Sequence, residues 1–362
     1  MCAGRSSGIF VFDNLLFWQD FLPTMQLCPH TADMTSDNAH PAPVENVPVD
    51  AIIVGGGVAG LSAAVALGRS RRSVTIIDAG DPRNAPAAHS HNYLTRDGES
   101  PLELVRLGRI EAEHYGVRIV DGTATSAVRT DSGFDVSLAD GTVVRGRRVL
   151  VTTGLTDILP SIPGLAERWG RDVLHCPYCH GWEVRDRAIG IIGSVMSGHQ
   201  AQMWRQLSEN VTVFTHTATE LSPEDLTRMR ARGIVVVEEE ITRVDVENDA
   251  IVGVTLANGV AVALDAVVVG PNFTSRADVL ESLGLETTEM VMNGHVLGTY
   301  IEADPVGATS VPGVWVAGNV AAPMDTVVAA SAAGVKAGAA INGDLIEEDV
   351  RFAVEQAEAM AS

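Results

Sequence analysis

Lysine is almost missing from this chain: of its 25 basic residues only Lys336 is lysine, and acidic residues outnumber basic ones 46 to 25. The resulting net charge of −21 repels phosphate backbones and anionic headgroups. Nucleic-acid binding and peripheral membrane binding are therefore not expected. Cysteine is scarce too. Cys2, Cys28, Cys176 and Cys179 are too few to staple a secreted disulfide scaffold. No apolar run reaches the roughly 20 residues a membrane span needs. The most apolar early stretch, residues 8–25, is broken by Asp13, Asn14, Gln19 and Asp20. Those acids, with Arg5 as the only early positive charge, also argue against a signal peptide, so a cytoplasmic location is expected.

What is present suits a globular protein. The 362 residues are 46% apolar, enough for two domains at about 150 residues each. Residues 28–48 are rich in Pro, Asp, Asn and Thr, and the first 48 residues are expected to form a disordered extension.

Order begins at Val49. Val49 to Val54 is a nearly continuous apolar run, the pattern of a buried parallel strand. Gly55-Gly56-Gly57-Val58-Ala59-Gly60 follows, then an Ala/Leu-rich helix, then a second apolar strand ending in Asp78. This is G-x-G-x-x-G in the setting that gives it meaning: strand, tight turn, helix, strand, acid. Gly55 permits the turn, Gly57 lets the backbone approach a pyrophosphate, and Gly60 lets helix and strand pack closely. The helix N-terminus, with Val58 and Ala59, presents N–H groups to phosphate. Asp78 stands at the right spacing for an adenosine ribose.

Near the other end, an apolar strand within Val311 to Val320 runs into Gly318-Asn319, and a small-residue helix follows from Thr326 to Ile341. This resembles the second flavin motif of flavoproteins with two dinucleotide domains, usually a strand ending in Gly-Asp whose acid binds the ribityl chain. Asn319 stands in that place. The resemblance implies FAD, with Asp325, Thr326 and Val327 aiming the positive helix end at the flavin.

Between the two motifs lies His175-Cys176-Pro177-Tyr178-Cys179-His180-Gly181-Trp182-Glu183. Two cysteines at this spacing close a disulfide ring, and one thiol beside a helix start or a base becomes a nucleophile. A zinc site would need four ligands, and no second C-x-x-C exists, so no metal is expected.

The order of these motifs, over roughly Val49 to Asn342, resembles the thioredoxin reductase family. In detail it is similar to the branch of FAD-dependent dithiol oxidases that close disulfides in natural products such as gliotoxin and holomycin. That branch has C-P-aromatic-C-H-G-aromatic-E, where ordinary thioredoxin reductases have Asp after the second Cys. The resemblance implies an α/β fold of two Rossmann-like domains, the second inserted in the first. The FAD domain would comprise 49–157 and 272–346, the insert 158–271 and a C-terminal tail 347–362. It further implies a homodimer, catalytic roles for Cys176, Cys179 and His180, and Arg83, Asn84, His91 and Asn92 beside FAD. His175 reads as structural.

The insert repeats the strand–turn–helix–strand pattern, with a helix expected over roughly His199 to Ser208. Its loop, Gly193-Ser194-Val195-Met196-Ser197-Gly198, has Val195 where thioredoxin reductases keep the second glycine for NADPH. Overpacking there costs about 1–3 kcal/mol. Thr215 to Glu220 contains no Arg or Lys for a 2′-phosphate. Without a hydride donor, the expected activity is a dithiol oxidase: a small-molecule dithiol reduces the C-x-x-C, and electrons pass to FAD and O2, giving H2O2. The alternatives are an NAD(P)H-dependent disulfide reductase and a non-catalytic flavin-binding redox sensor.

Overall fold

The computed structural model describes residues 47–216 and 221–361. The first part runs β1 (Val49–Val54), α1 (Val58–Arg69), β2 (Val74–Asp78), α2 (Pro101–His114), β3 (Arg118–Asp121), β4 (Ala124–Thr130), β5 (Gly133–Leu138), β6 (Val143–Val151) and β7 (Leu155–Ile158). Next come β8 (Val173–Leu174), α3 (Pro177–His180), β9 (Ile189–Ile192), α4 (Ser197–Trp204), β10 (Val211–Phe214), α5 (Pro223–Ala231), β11 (Val235–Val237), β12 (Ile241–Glu247), β13 (Ala250–Leu256), β14 (Ala261–Ala263) and β15 (Ala266–Val268). The chain closes with β16 (Asn272–Ser275), α6 (Asp278–Glu281), β17 (Thr288–Met292), β18 (His295–Tyr300), β19 (Val314–Val316) and α7 (Val327–Ala361).

Two parallel-stranded sheets organise these elements. In the larger, β3-β2-β1-β6 continue into the antiparallel β5-β4, and β19 returns from far along the chain to pair with β6. β1 is buried from Ala51 to Val54, as its unbroken apolar run demands. α7 packs on α1 so closely that a Cβ on Gly334 would lie 2.0 Å from the Ala59 carbonyl oxygen. The smaller sheet is ordered β11-β10-β9-β15-β8, all parallel. Both end their parallel strands in loops, and such carboxyl-end crevices are where α/β sheets bind ligands.

Two helices differ from the sequence expectation. α4 starts earlier, at Ser197, because the Ser197 hydroxyl accepts the Ser194 N–H at 2.7 Å and nucleates the turn. Residues 347–361, expected as a tail, are instead a continuation of α7. Beyond Gly343 no Gly or Pro interrupts an Ala- and Glu-rich run. Arg147 on β6 also binds Glu348 at 2.9 and 2.6 Å and Asp349 at 2.5 Å. The expectation for the first 48 residues lies outside the described residues, save for Val47 and Pro48. No helix among the described residues is long and apolar enough to cross a membrane.

Candidate active site

Gly55 leaves β1 with φ of +107°, a conformation open to glycine, and a Cβ there would lie 2.6 Å from the Thr152 carbonyl oxygen. At Gly60 a Cβ would lie 2.0 Å from the Gly55 carbonyl oxygen, so this glycine closes α1 onto β1. Gly57 is different: an added Cβ would meet nothing within 4 Å. It is the extended N-cap of α1, with no side chain capping the helix. With Val58 and Ala59 it lines a cavity of about 970 Å³. The unpaired N–H groups of that first turn and the positive helix end suit an anion. Asp78 stands beside them. Its Oδ1 accepts the Gly56 N–H at 3.0 Å and its Oδ2 receives Arg109 at 3.1 Å.

The same cavity is lined by Gly318, Asn319, Asp325, Thr326 and Val327. Asn319 Nδ2 donates to the carbonyl oxygens of Ala322, Pro323 and Asp325 at 3.0, 3.2 and 3.0 Å. A carboxylate cannot donate, so asparagine here clasps the loop that leads into α7. Its Oδ1 accepts from Arg83 at 3.4 Å. Arg83 in turn binds Asp157 through two parallel bonds of 2.8 and 2.6 Å. Burial raises the proton affinity of the Asp325 carboxyl.

The cavity reaches Cys176 and Cys179. Cys176 leaves β8, caps α3, and is followed by Pro177 at the first helical position. Both thiols are free and half-buried. A hydrogen bond from the Cys179 thiol, helped by the backbone N–H groups of Cys179 and Tyr178 and opposed by burial, lowers Cys176 to about 6. That bond and burial push Cys179 strongly upward, with Arg83 opposing. The shared proton thus sits on Cys179 and the charge on Cys176. His180 is lowered by burial, against the pull of Glu183. His180 lines the cavity, and its Nε2 is buried with no hydrogen-bond partner. His175 holds the Val269 carbonyl at 3.0 Å through Nδ1, and burial lowers it as well.

The structure therefore brings together the glycine loop, Asp78, Arg83, Asn84, residues 318–319 and 325–327, both cysteines and His180 around one cavity. Gly60, His91 and Asn92 do not line it. Gly60 packs. Asn92 Nδ2 donates to the Tyr178 carbonyl at 2.6 Å, and His91 stands 3.3 Å from both Asp97 and Glu183. These two residues brace the C-x-x-C turn. Asp157 and Arg109, which carry no motif, were not legible in the sequence.

The second loop is built otherwise. Gly193 is required, since a Cβ would lie 2.2 Å from the Thr215 carbonyl oxygen. Gly198 faces Asp225: an added Cβ would sit 2.7 Å from its carboxyl carbon. A carboxylate from α5 thus stands over the first turn of α4, where an anion would bind, and Val195 lines the cavity nearby.

Residues 49–334 match the family described as pyridine nucleotide-disulphide oxidoreductase. The thioredoxin reductase sirT of Leptosphaeria maculans is 32% identical over 319 residues, 83% of this chain and 95% of that one. The thioredoxin reductase tcpT of Claviceps purpurea is 31% identical, over 83% and 95%. Among solved structures, HlmI superposes with a TM-score of 0.81 at 41% identity, covering 87% of this chain and 98% of its own. The chain belongs to the pyridine nucleotide-disulphide oxidoreductases and is a flavin-dependent disulfide oxidoreductase. Its cofactor is FAD. The residues fit that group: the empty Cβ direction at Gly57 and the uncapped helix N-terminus sit at one part of the cavity, and the thiols at another.

Proposed function

We propose that this flavoprotein oxidises a small-molecule dithiol to its disulfide, with O2 as the electron acceptor and H2O2 as the second product. The observation that carries the reading is the second loop. Val195 lines the cavity where a glycine would admit pyrophosphate, and the Asp225 carboxylate repels it. The first loop has neither obstacle.

A substrate thiolate attacks the Cys176 sulfur of the oxidised pair, and the Cys176–Cys179 bond breaks with Cys179 leaving. The His180 imidazole, neutral near pH 7 because burial lowers its proton affinity, accepts the proton of the second substrate thiol. That thiolate attacks the substrate sulfur of the mixed disulfide and expels Cys176. A leaving thiol titrating at about 6 departs readily. Gly57, Val58, Ala59 and Asp78 would hold the adenosine pyrophosphate end of FAD, and Asn319 with Asp325–Val327 the isoalloxazine end. Bound there, FAD would supply the two-electron chemistry that returns the Cys176–Cys179 dithiol to its disulfide, with oxygen as the final acceptor. The Arg83 charge favours the Cys179 thiolate that this step needs. A homodimer, by resemblance, and a cytoplasmic location, from the sequence of the first residues, complete the reading.

An NAD(P)H-dependent disulfide reductase is the rival, favoured by the names of the two relatives above. Anaerobic titration of the holoenzyme separates them. Bleaching of the flavin by 1,4-butanedithiol but not by NADPH, with peroxide on readmitting air, is the expected result. Rapid bleaching by NADPH overturns it.

A further inference from the structure

Asn92 is held in the left-handed region, with φ of +62°, and Thr95 in the same loop lies at +72°. Such a backbone persists where the surroundings fix it, and it collects where a residue is held for a task. Here the loop from 89 to 99 closes on itself. The Ser90 N–H donates to the Glu99 carbonyl at 2.7 Å, and the Gly98 N–H to the Ser90 carbonyl at 2.8 Å. The Asp97 carboxylate accepts the Asn92 N–H at 2.8 Å.

The side chain shows what the loop is held for. Asn92 Nδ2 reaches across 86 residues of chain and donates to the Tyr178 carbonyl at 2.6 Å. α3 is a single turn, so its carbonyls need partners from outside it. This carbonyl belongs to the planar Tyr178–Cys179 peptide, whose other end is the Cys179 N–H. That N–H is turned back to Cys176. It donates to the Cys176 carbonyl at 3.2 Å, and it is one of two backbone donors that favour the Cys176 thiolate. Carboxamide, peptide and sulfur thus form a chain in which each bond polarises the next. Asn92 is exposed, so water could replace its donor, but not the fixed direction of the bond.

We propose that Asn92 is a positioning residue for Cys176: by holding the Tyr178 carbonyl it fixes the Tyr178–Cys179 peptide with its N–H turned to the Cys176 sulfur. The assignment rests on Cys176 being the attacking thiol of the reading above.

Asn92→Gly tests it, since glycine keeps the φ and loses the carboxamide. The holoenzyme, reduced anaerobically, is alkylated with iodoacetamide across pH, and the label at Cys176 is read by mass spectrometry. The variant is expected to raise the proton affinity of Cys176 about threefold, which lifts the midpoint by about half a pH unit. Arg83, Asp157, His175, Cys179 and His180 share the cavity with Cys176, and none of them bonds to Asn92, so the shift reports the peptide. An unmoved midpoint, with or without a fall in melting temperature, reduces Asn92 to a brace and overturns the assignment. Should Asn92→Gly not fold, Asn92→Asp is read instead. A rise that survives about 1 M salt, where the added charge is screened, supports the assignment, and no rise overturns it. The wild type tells the two failures apart. If its Cys176 midpoint lies at about 8.5, the sulfur is not activated, and the attacking-thiol reading falls with the assignment. If it lies at about 6 and the variant matches it, only the role of Asn92 falls.

Discussion

The chain folds the same strand–glycine–helix unit twice, and the two copies teach what such a loop needs in order to bind. In the first, Gly55 and Gly60 are held by packing, while Gly57 has empty space before it. In the second, Gly193 and Gly198 are again held by their surroundings, but Val195 replaces the residue that packing does not require. The fold-bearing glycines persist and the ligand-bearing one does not. Asp225 then adds charge of the wrong sign at the helix start. What the second unit retains is the edge of its sheet, where β8 delivers Cys176.

The largest effect that can break this comparison concerns that thiol. If the second unit serves the C-x-x-C, reduced Cys176 should react with iodoacetamide with a midpoint near 6, a proton affinity roughly a few hundredfold below an ordinary thiol at about 8.5. Alkylation should be slow below that pH, where the thiol is protonated, and fast above it. A midpoint near 8.5 would show that the edge does not activate the sulfur. His180→Ala should slow dithiol oxidation by about a hundredfold, the usual scale for lost acid–base help. Turnover within threefold of wild type would reduce His180 to packing.

Next is the exchange of the distinguishing residue. Gly57→Val copies the second loop into the first. The added side chain meets no protein atom at its Cβ, so the fold should stand. FAD retention should drop by one to two decades, from about 1–3 kcal/mol of overpacking against the cofactor. A variant that purifies fully yellow would show that the glycine is not the discriminator. The converse exchange should do less. Val195→Gly leaves Asp225 and the missing basic residues untouched, so affinity for NADPH, measured by calorimetry, should rise less than about tenfold. Adding Asp225→Ala should raise it further. A single Val195→Gly variant whose flavin is promptly bleached by NADPH would mean that the loop alone had been lost.

Much of this was legible in the sequence, for a physical reason. Backbone-bound recognition requires glycine at fixed spacing, and a buried parallel strand requires an apolar run, so β1, α1 and β2 could be read from Val49 to Asp78. The C-x-x-C is local in the same way. Arg83 was legible only through resemblance, and its partner Asp157 not at all, because their pairing joins residues distant in the chain. Asp225 was invisible for the same reason: it sits in no motif and matters through Gly198, supplied by another element. The helix expected over Thr326 to Ile341, with a tail after 346, runs on as α7 to Ala361, because no Gly or Pro beyond Gly343 stops it.

The smallest effect tests whether Asn319 is a lost acid or a gained clasp. In the first loop the main-chain donors of α1 are left for a ligand, whereas in the loop before α7 the Asn319 donors are used internally, on three carbonyls. Asn319→Asp restores the acid of the usual flavin motif but removes those donors and sets a carboxylate against carbonyl oxygens. Arg83, already 3.4 Å from Asn319 Oδ1, would offset part of the charge. The net loss should be about 1–2 kcal/mol of stability, seen as a fall of a few degrees in the melting temperature, with flavin affinity changed by less than about threefold because Arg83 keeps the new charge from facing the cofactor unpaired. An unchanged melting temperature together with tighter FAD binding would mean that the asparagine is a deficit in the flavin site. A fall in melting temperature at constant flavin affinity would mean that this loop, unlike the glycine loop at Gly57, holds its shape by bonding to itself.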